Sequence, residues 1–224
     1  MKMKRSEKLG MLTGLVVGVL LLLISVFMIF QTTCKVWGAE KPANATQQGI
    51  DVSSHQGKID WEQVKNSGLV DYAIIRCGYG VNQTDKDDKY WDYNSSECER
   101  LGIPYGTYLY SGADTTAKAK SEAEHVVRLL QGKNLTYPIY YDMEADMLNQ
   151  LSSTQIGNIA KTFLNTMESY GYKNVAVYSN KYLFETKLTA TVFSDYPKWI
   201  AQHSNKCTYQ GSYHMWQYST QGVI

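Results

Sequence analysis

Short apolar runs alternate with polar, helix-like stretches along the chain from residue 49 onward. Seven of these runs are rich in β-branched and aromatic residues and have the length of buried strands; they cover residues 49–53, 72–78, 104–110, 137–144, 174–178, 197–201 and 214–218. Strands separated by helices pair in parallel, because the connection is too long for a hairpin. The pattern therefore predicts an α/β fold with a parallel sheet.

The stretches between these runs carry signals for the starts and ends of helices. Asp60 can cap a helix over residues 61–66, and Ser152 with Gln155 makes a capping box for a longer helix that ends near Gly171. The longer helix has one apolar stripe, formed by Ile156, Ile159, Ala160, Phe163, Leu164 and Met167. A closed barrel and an open doubly wound sheet both fit this pattern. No glycine-rich phosphate loop follows any strand, which disfavours a nucleotide-binding open sheet.

The N-terminal thirty residues follow a different pattern. A basic end, residues 1–10, precedes the uncharged apolar segment 11–30. Twenty apolar residues match a hydrocarbon layer of about 30 Å, whereas the apolar core of a cleaved signal has roughly 7–15 residues. We predict one N-terminal transmembrane or signal helix, with the basic end in the cytoplasm and the rest outside. The protein is then anchored in the cell membrane, or secreted if the leader is cleaved near residues 36–38.

A linker and one folded domain follow this helix in the prediction. Residues 31–48 become polar and small, which is typical of a tether, and the domain covers residues 49–224. A barrel of seven strands would have exposed edges, and the sequence ends at Ile224, soon after the seventh run. We therefore expect an irregular (β/α) TIM-like barrel whose last strand is missing from this sequence.

Charge and cysteine spacing exclude several classes of partner. The net charge is +1, and the first 40 residues hold five basic residues against two acidic ones, so the remainder carries −2. The remainder has no basic run, which disfavours a nucleic-acid partner. Without C-x-x-C spacing or a histidine cluster, neither a metal site nor another cofactor is predicted. One disulfide among Cys77, Cys98 and Cys207 is possible outside the cytoplasm, although the sequence does not select the pair.

The fourth predicted strand carries the most informative side chains. Tyr140, Asp142 and Glu144 alternate and therefore point to one face, at the carboxyl end of the strand. Active sites of (β/α) barrels are built at that end. Two neighbouring carboxyls in a partly dry pocket push their pKa values apart, so that one stays protonated while the other ionises, as cleavage of a glycosidic bond requires. The alternative is a pair of solvated loop acids.

Two further charged residues interrupt apolar strands. Asp51 lies in the first strand, where a buried carboxylate costs several kcal/mol unless it is paired or used. Its alternative role is to cap the loop that follows. Arg76 ends the apolar run Ala73-Ile74-Ile75 and can either bind substrate or form a structural ion pair.

The chain resembles glycoside hydrolase family 25, a family of lysozymes, in seven segments that keep the family's order. They are Gly49 to Gly57 with Ile59-Asp60-Trp61, Ala73 to Arg76, Gly106-Thr107-Tyr108, Asp142-Met143-Glu144, Val177-Tyr178-Ser179, Trp199-Ile200-Ala201 and Trp216 to Ser219. The resemblance implies an irregular (β/α) barrel that cleaves the β-1,4 bond between N-acetylmuramic acid and N-acetylglucosamine. The expected partner is a peptidoglycan strand, and the expected state is a monomer.

The resemblance also implies roles for individual residues. By position, Glu144 resembles the general acid and Asp142 its ionised partner, which stabilises positive charge at the sugar or orients the N-acetyl group. Asp51 resembles a catalytic residue on the floor of the same acidic groove. The residues expected to bind substrate are Tyr108, Tyr140, Arg76, Trp199 and Gln217.

Two other functions are alternatives to a lysozyme. One follows from a departure from the family pattern, and the other from the similar chemistry of other barrel glycosidases. The family pattern continues to a final strand with another active-site Asp, which this sequence does not reach, so one alternative is a non-catalytic peptidoglycan-binding domain. The presence of Asp51, Asp142 and Glu144 together favours the enzyme, because binding alone does not need clustered acids. The second alternative is another barrel glycosidase such as a chitinase, although chitinases normally carry more acids where this chain has Ile139 and Tyr140.

Overall fold

Backbone hydrogen bonds join seven strands into one parallel sheet, in the order in which the strands occur in the chain. The structure is a computed structural model that describes residues 44–222. The strands are β1 (Gly49–Val52), β2 (Tyr72–Tyr79), β3 (Tyr105–Tyr110), β4 (Ile139–Asp142), β5 (Val175–Asn180), β6 (Lys198–Ala201) and β7 (Met215–Gln217). All seven strands expected from the sequence are confirmed.

The sequential strand order distinguishes between the two sheet architectures. A doubly wound sheet reverses its order at a switch point, whereas a barrel adds each new strand on the same side. Here the sheet curls until its two ends meet through side chains. Gln217 Nε2 on β7 donates to Asp51 Oδ2 on β1 at 3.0 Å, and Gln48 Nε2 donates to the Tyr218 hydroxyl at 3.1 Å. No backbone hydrogen bond joins β1 to β7 within residues 44–222. The sheet is therefore curled and barrel-like, but it is not closed by backbone pairing.

Side chains alternate between the two faces of this sheet. The inner face carries a small cluster of buried residues, namely Ile74, Tyr140, Ala176, Tyr178, Trp199, Ala201 and Met215. The outer face packs against the helices in a larger core that includes Ile75, Leu109, Val177 and Ile200. Arg76 and Asp142 have the same parity as the inner cluster. The strands therefore direct these two charged side chains toward the inside of the curl.

Six α-helices of the described region lie between the first six strands. They are α1 (Trp61–Ser67), α2 (Trp91–Leu101), α3 (Thr116–Leu129), α4 (Ser153–Ser169), α5 (Lys181–Thr186) and α6 (Val192–Asp195). The predicted caps are confirmed, because Asp60 Oδ1 accepts from Gln63 N and Ser152 forms its capping box with Gln155. All six apolar residues predicted for the α4 stripe are buried, and Phe163 stacks on Tyr141 at 3.9 Å. Local sequence signals therefore set both the ends and the buried face of α4.

Two other expectations concern the leader and the cysteines. The apolar segment 11–30 lies outside the residues that the structure describes. Within residues 44–222, no helix has the length and apolar character needed to cross a membrane.

Cys77, Cys98 and Cys207 are all free. None of the disulfides that the sequence allows among these three residues is formed.

Gly106 on β3 lies against the backbone that leads into β4. A Cβ at this position would lie 2.5 Å from the backbone oxygen of Pro138, which cannot move without shifting β4. We expect Gly106→Ala to destabilise the protein by about 1–3 kcal/mol, the usual cost of overpacking. Urea unfolding would measure this loss. Gly112→Ala is the matched control, because a Cβ there meets no atom within 4 Å; equal stability losses in both variants would contradict the interpretation.

Candidate active site

Three carboxyl groups form one cluster at the carboxyl ends of the strands. Asp142 is the last residue of β4, and Glu144 follows it by two residues. Asp51 lies on β1, at one edge of the sheet. The negative charges of Glu144 and Asp51 both raise the pKa of Asp142, which places all three acids within electrostatic reach of one another. Curling of the sheet thus adds Asp51 to the pair on β4.

Asp142 is the most buried member of this carboxyl cluster. Its side chain belongs to a residue only 2% exposed, and Oδ1 has no hydrogen-bond partner among the described residues. Burial raises the pKa of Asp142 well above 3.8, and the neighbouring acids raise it further, while the Arg76 guanidinium lowers it. Each of the two causes that raise this pKa opposes ionisation of Asp142. Its Oδ1 lacks the hydrogen bond that buried polar atoms normally have.

Glu144 is the more accessible acid of the β4 pair. It is partly exposed and makes no hydrogen bond or ion pair with any residue from 44 to 222. Burial raises the pKa of Glu144 above 4.5; positive charge on His203 lowers it, and Asp51 raises it. A carboxyl with a raised pKa and an open approach can hold a proton and deliver it to a ligand.

Asp51 is held by an amide from the opposite edge of the sheet. Burial raises its pKa, whereas the hydrogen bond from Gln217 and the charge of His203 lower it. The same Gln217 uses its Oε1 to accept from the Tyr178 hydroxyl and from His203 Nε2, both at 2.9 Å. Gln217 therefore connects β7, β5 and the loop after β6 to Asp51. This connection fixes where the Asp51 carboxyl lies.

Arg76 forms a structural ion pair with an acid that the sequence analysis did not select. Its Nε donates to Asp88 Oδ2 at 2.8 Å, and a terminal guanidinium nitrogen donates to Ser54 Oγ at 2.9 Å. The Asp88 carboxylate is fully buried and also accepts from the backbone N–H groups of Ser54 and Tyr90. The pair still lies close enough to Asp142 to lower the pKa of that residue.

The predicted aromatic residues divide into buried and accessible positions. Tyr140 and Trp199 are buried, with ring centroids 5.0 Å apart. Tyr140 lies one inner layer before Asp142 on β4, and its hydroxyl is 3.9 Å from the Met215 sulfur. Tyr108 is only partly buried, lies edge-on to Trp199, and has a pKa raised by burial and by the charges of Asp51 and Asp142. Tyr108 therefore belongs to the acid cluster, whereas Tyr140 supports it from the core.

Three residues of this site escaped sequence analysis: Asp88, Tyr178 and His203. Tyr178 and His203 lie on, or just after, the carboxyl-terminal part of a strand. That position was the available signal for His203, which follows β6 by two residues. Asp88 lies farther along the chain, after an isolated bridge between Gly78 and Asp87 brings its segment back to β2. Only the folded chain shows its contact with Arg76.

Comparisons with known proteins identify the family of the chain. The family model described as Glycosyl hydrolases family 25 matches residues 50–224. The autolytic lysozyme of Clostridium acetobutylicum is 30% identical over 178 residues, which cover 79% of this chain and 52% of the lysozyme. The chain thus spans about half the length of this relative.

Two solved structures are similar to the fold. The modular autolysin LytC of Streptococcus pneumoniae, solved in complex with a synthetic peptidoglycan ligand, has a TM-score of 0.70 and 33% identity, and the match covers 79% of this chain and 43% of LytC. A family 25 glycosyl hydrolase of Bacillus anthracis has a TM-score of 0.72 and 20% identity, covering 84% of this chain and 86% of that one. The second similarity concerns the fold alone.

Proposed function

The chain belongs to glycosyl hydrolases family 25, and from this premise we propose that it hydrolyses peptidoglycan at the β-1,4 bond between N-acetylmuramic acid and N-acetylglucosamine. The observation that carries the proposal is the cluster of Asp51, Asp142 and Glu144 at the carboxyl end of the sheet. Raised pKa values at clustered, partly desolvated acids are typical of catalytic sites. Burying these acids also lowers the stability of the fold. A surface that served only structure or binding would not need such buried acids.

In the proposed reaction, Glu144 is the general acid. Its raised pKa favours the protonated carboxyl that this role requires, and its partial exposure lets it reach the glycosidic oxygen. The proton goes to that oxygen as the bond to C1 of N-acetylmuramic acid breaks. Water then supplies a hydroxyl group to C1, and the remaining proton of this water restores the protonated form of Glu144. The products are a reducing N-acetylmuramic acid end and a free 4-hydroxyl group on N-acetylglucosamine.

Asp142 is the proposed partner of Glu144 and is expected to ionise when substrate binds. Its buried Oδ1 has no donor in the free site. The N–H group of a substrate N-acetyl substituent can provide that hydrogen bond and thereby stabilise the carboxylate. Ionised Asp142 then orients the acetamido group and stabilises positive charge that develops at C1. The requirement for an N–H donor selects an N-acetylated sugar.

The other predicted site residues have supporting roles in this proposal. Asp51 forms the floor of the acidic groove and Gln217 orients its carboxyl. Tyr108 offers a partly exposed ring for contact with sugar C–H groups. Arg76 is bound to Asp88 and therefore acts mainly by moderating the charge of the acids. The buried Tyr140 and Trp199 stabilise the wall behind the groove.

We also propose that the domain acts outside the cytoplasm. The support is the basic end followed by the apolar segment 11–30 in the sequence, together with the similarity to an autolytic lysozyme. An uncleaved segment would tether a monomeric domain beside the wall through the linker 31–48. Its substrate is insoluble and surrounds the cell, so a tether would confine the enzyme to nearby glycan strands.

The identity of the reducing end tests the proposed function. The full chain would be incubated with purified peptidoglycan, and released fragments would be reduced with borohydride and analysed by mass spectrometry. We expect reduced N-acetylmuramic acid. Reduced N-acetylglucosamine would indicate a different glycosidase, and folded protein that sediments with the wall without releasing fragments would indicate a binding domain.

A further inference from the structure

His203 lies in the loop after β6, at the opening of the acid cluster. Its ring is exposed, and its positive charge lowers the pKa of both Asp51 and Glu144. Nε2 is 2.9 Å from Gln217 Oε1, while Nδ1 makes no hydrogen bond to any residue of the described region. This is the one histidine of residues 44–222 whose charge affects both of these acids. The loop thus brings a cationic side chain to an otherwise acidic opening.

The contact with Gln217 determines where the His203 proton lies. An amide oxygen only accepts hydrogen bonds, so Nε2 must carry hydrogen in both the neutral and the charged ring. Tyr178 donates to the same oxygen. When Asp51 is ionised it only accepts, so the amide N–H of Gln217 must face it, as the 3.0 Å contact shows. Two donors on one side and an acceptor on the other hold the Gln217 amide in a single orientation.

We propose that His203 is a positioning residue of the hydrolytic site, which orients the Gln217 amide toward Asp51 through its Nε2–H and places positive charge beside the carboxyl cluster. This inference rests on the proposed function. It separates two contributions of one side chain, a hydrogen bond to Gln217 and a positive charge beside Asp51 and Glu144. The charge lowers the proton affinity of Glu144 and so limits how far into neutral pH Glu144 remains an acid.

Few charged or titratable groups surround His203, so its effect on the pKa values of Asp51 and Glu144 can be assigned. They are Asp51 on β1 and Glu144 after β4, whose pKa values its charge lowers, and Tyr178 on β5, which donates to the same Gln217 oxygen. Arg76, on β2, is held by Asp88 and acts on Asp142. A change confined to His203 therefore alters the charge next to Asp51 and Glu144 without breaking the Arg76 ion pair.

Two substitutions separate the hydrogen bond from the charge. His203→Gln keeps an N–H donor near the position of Nε2 and removes the charge, whereas His203→Phe removes both. Loss of a hydrogen bond contributes roughly a factor of ten, so we expect kcat of His203→Phe to fall about tenfold with little change in KM. We expect His203→Gln to retain kcat within about threefold, with the alkaline limb of its pH profile moved to higher pH.

His214→Gln is the matched control. This histidine is also exposed, but it precedes β7, and its only described hydrogen bond is from its backbone N–H to the Lys198 oxygen. We expect its kcat and pH profile to equal those of the wild type. A kcat for His203→Phe that equals the wild-type value would overturn the positioning role.

Carbon-13 NMR of the carboxyl groups gives a readout that does not require turnover. We expect the pKa values of Glu144 and Asp51 to rise in free His203→Gln and to stay unchanged in His214→Gln. Identical titration curves in His203→Gln and the wild type would overturn the electrostatic role. A wild-type protein that releases no glycan fragments would instead count against the proposed function, and the NMR titration would still decide whether His203 acts on the two acids.

Discussion

Replacing Glu144 with Gln is expected to lower peptidoglycan hydrolysis by about 10²–10⁴-fold, the usual contribution of a general acid. Gln has nearly the same shape as Glu but has no proton to give to the leaving oxygen. Glu144 makes no hydrogen bond or ion pair in the described region, so its loss should leave the fold intact. The substitution also removes the cost of burying an ionised carboxylate, so we expect the stability of the variant to be equal to that of the wild type or slightly higher.

Release of reducing ends from purified peptidoglycan measures this effect, and sedimentation with the wall measures binding separately. Glu185→Gln is the matched control, because Glu185 is exposed on α5 and its ion pair within residues 44–222 is with Lys181. We expect the control to keep activity within about twofold, since surface ion pairs contribute little. Activity of Glu144→Gln close to that of the control would assign the acid role to another residue and overturn our assignment.

Asp142→Asn is expected to change activity and stability in opposite directions. Asn cannot become the carboxylate that the proposed reaction needs, so we expect at least about a 10²-fold loss of activity, comparable to the loss of other groups that stabilise developing charge. The same change removes an acid that is buried without a partner for Oδ1. We therefore expect the folded protein at pH 7 to gain on the order of 1 kcal/mol, as often occurs when strained active-site residues are replaced.

The sign of the pH dependence follows from the raised pKa of Asp142. Below about 3.8 the carboxyl is neutral in both the folded and the unfolded chain, so it does not disfavour folding. As pH rises above 3.8 the unfolded chain ionises first, and the folded state loses stability until pH exceeds the raised folded-state pKa. The stability difference between Asp142→Asn and the wild type should thus be small near pH 4 and grow toward neutral pH.

Urea unfolding at several pH values measures this difference. Asp146→Asn serves as the control, because Asp146 is an exposed acid in the same segment and its removal changes the net charge equally. We expect the stability of the control to follow that of the wild type at every pH. A lower stability of Asp142→Asn than of the wild type at pH 7 would show that the buried carboxylate is satisfied by contacts other than those described.

Local patterns in the sequence were sufficient for most of the fold. The α4 stripe, the Ser152 capping box and the seven short apolar runs each reflect interactions within a few residues, and the structure confirms them. Local patterns did not choose between a barrel and a doubly wound sheet. That choice depends on which strands become neighbours, and the strand order supplies it.

The same limit applies to the site. Alternation along the predicted fourth strand led to the prediction that Asp142 and Glu144 share a face. In the structure β4 ends at Asp142, and Glu144, two residues later, is close enough for its charge to raise the pKa of Asp142. The partner of Arg76 was not predictable, since Asp88 reaches it only after the chain turns back beside β2. His203 was missed because its importance lies in a contact with Gln217, fourteen residues away on the next strand.

The sequence by itself determined the elements, the residues that can act as acids and the family resemblance, because these depend on residue type and short-range spacing. Only the tertiary structure decided that Asp51, at one edge of the sheet, meets Gln217, at the other. It also decided which acid lies without a partner in the interior and which one remains accessible. Desolvation and charge interactions depend on distances through space, and these arise only when the sheet has curled.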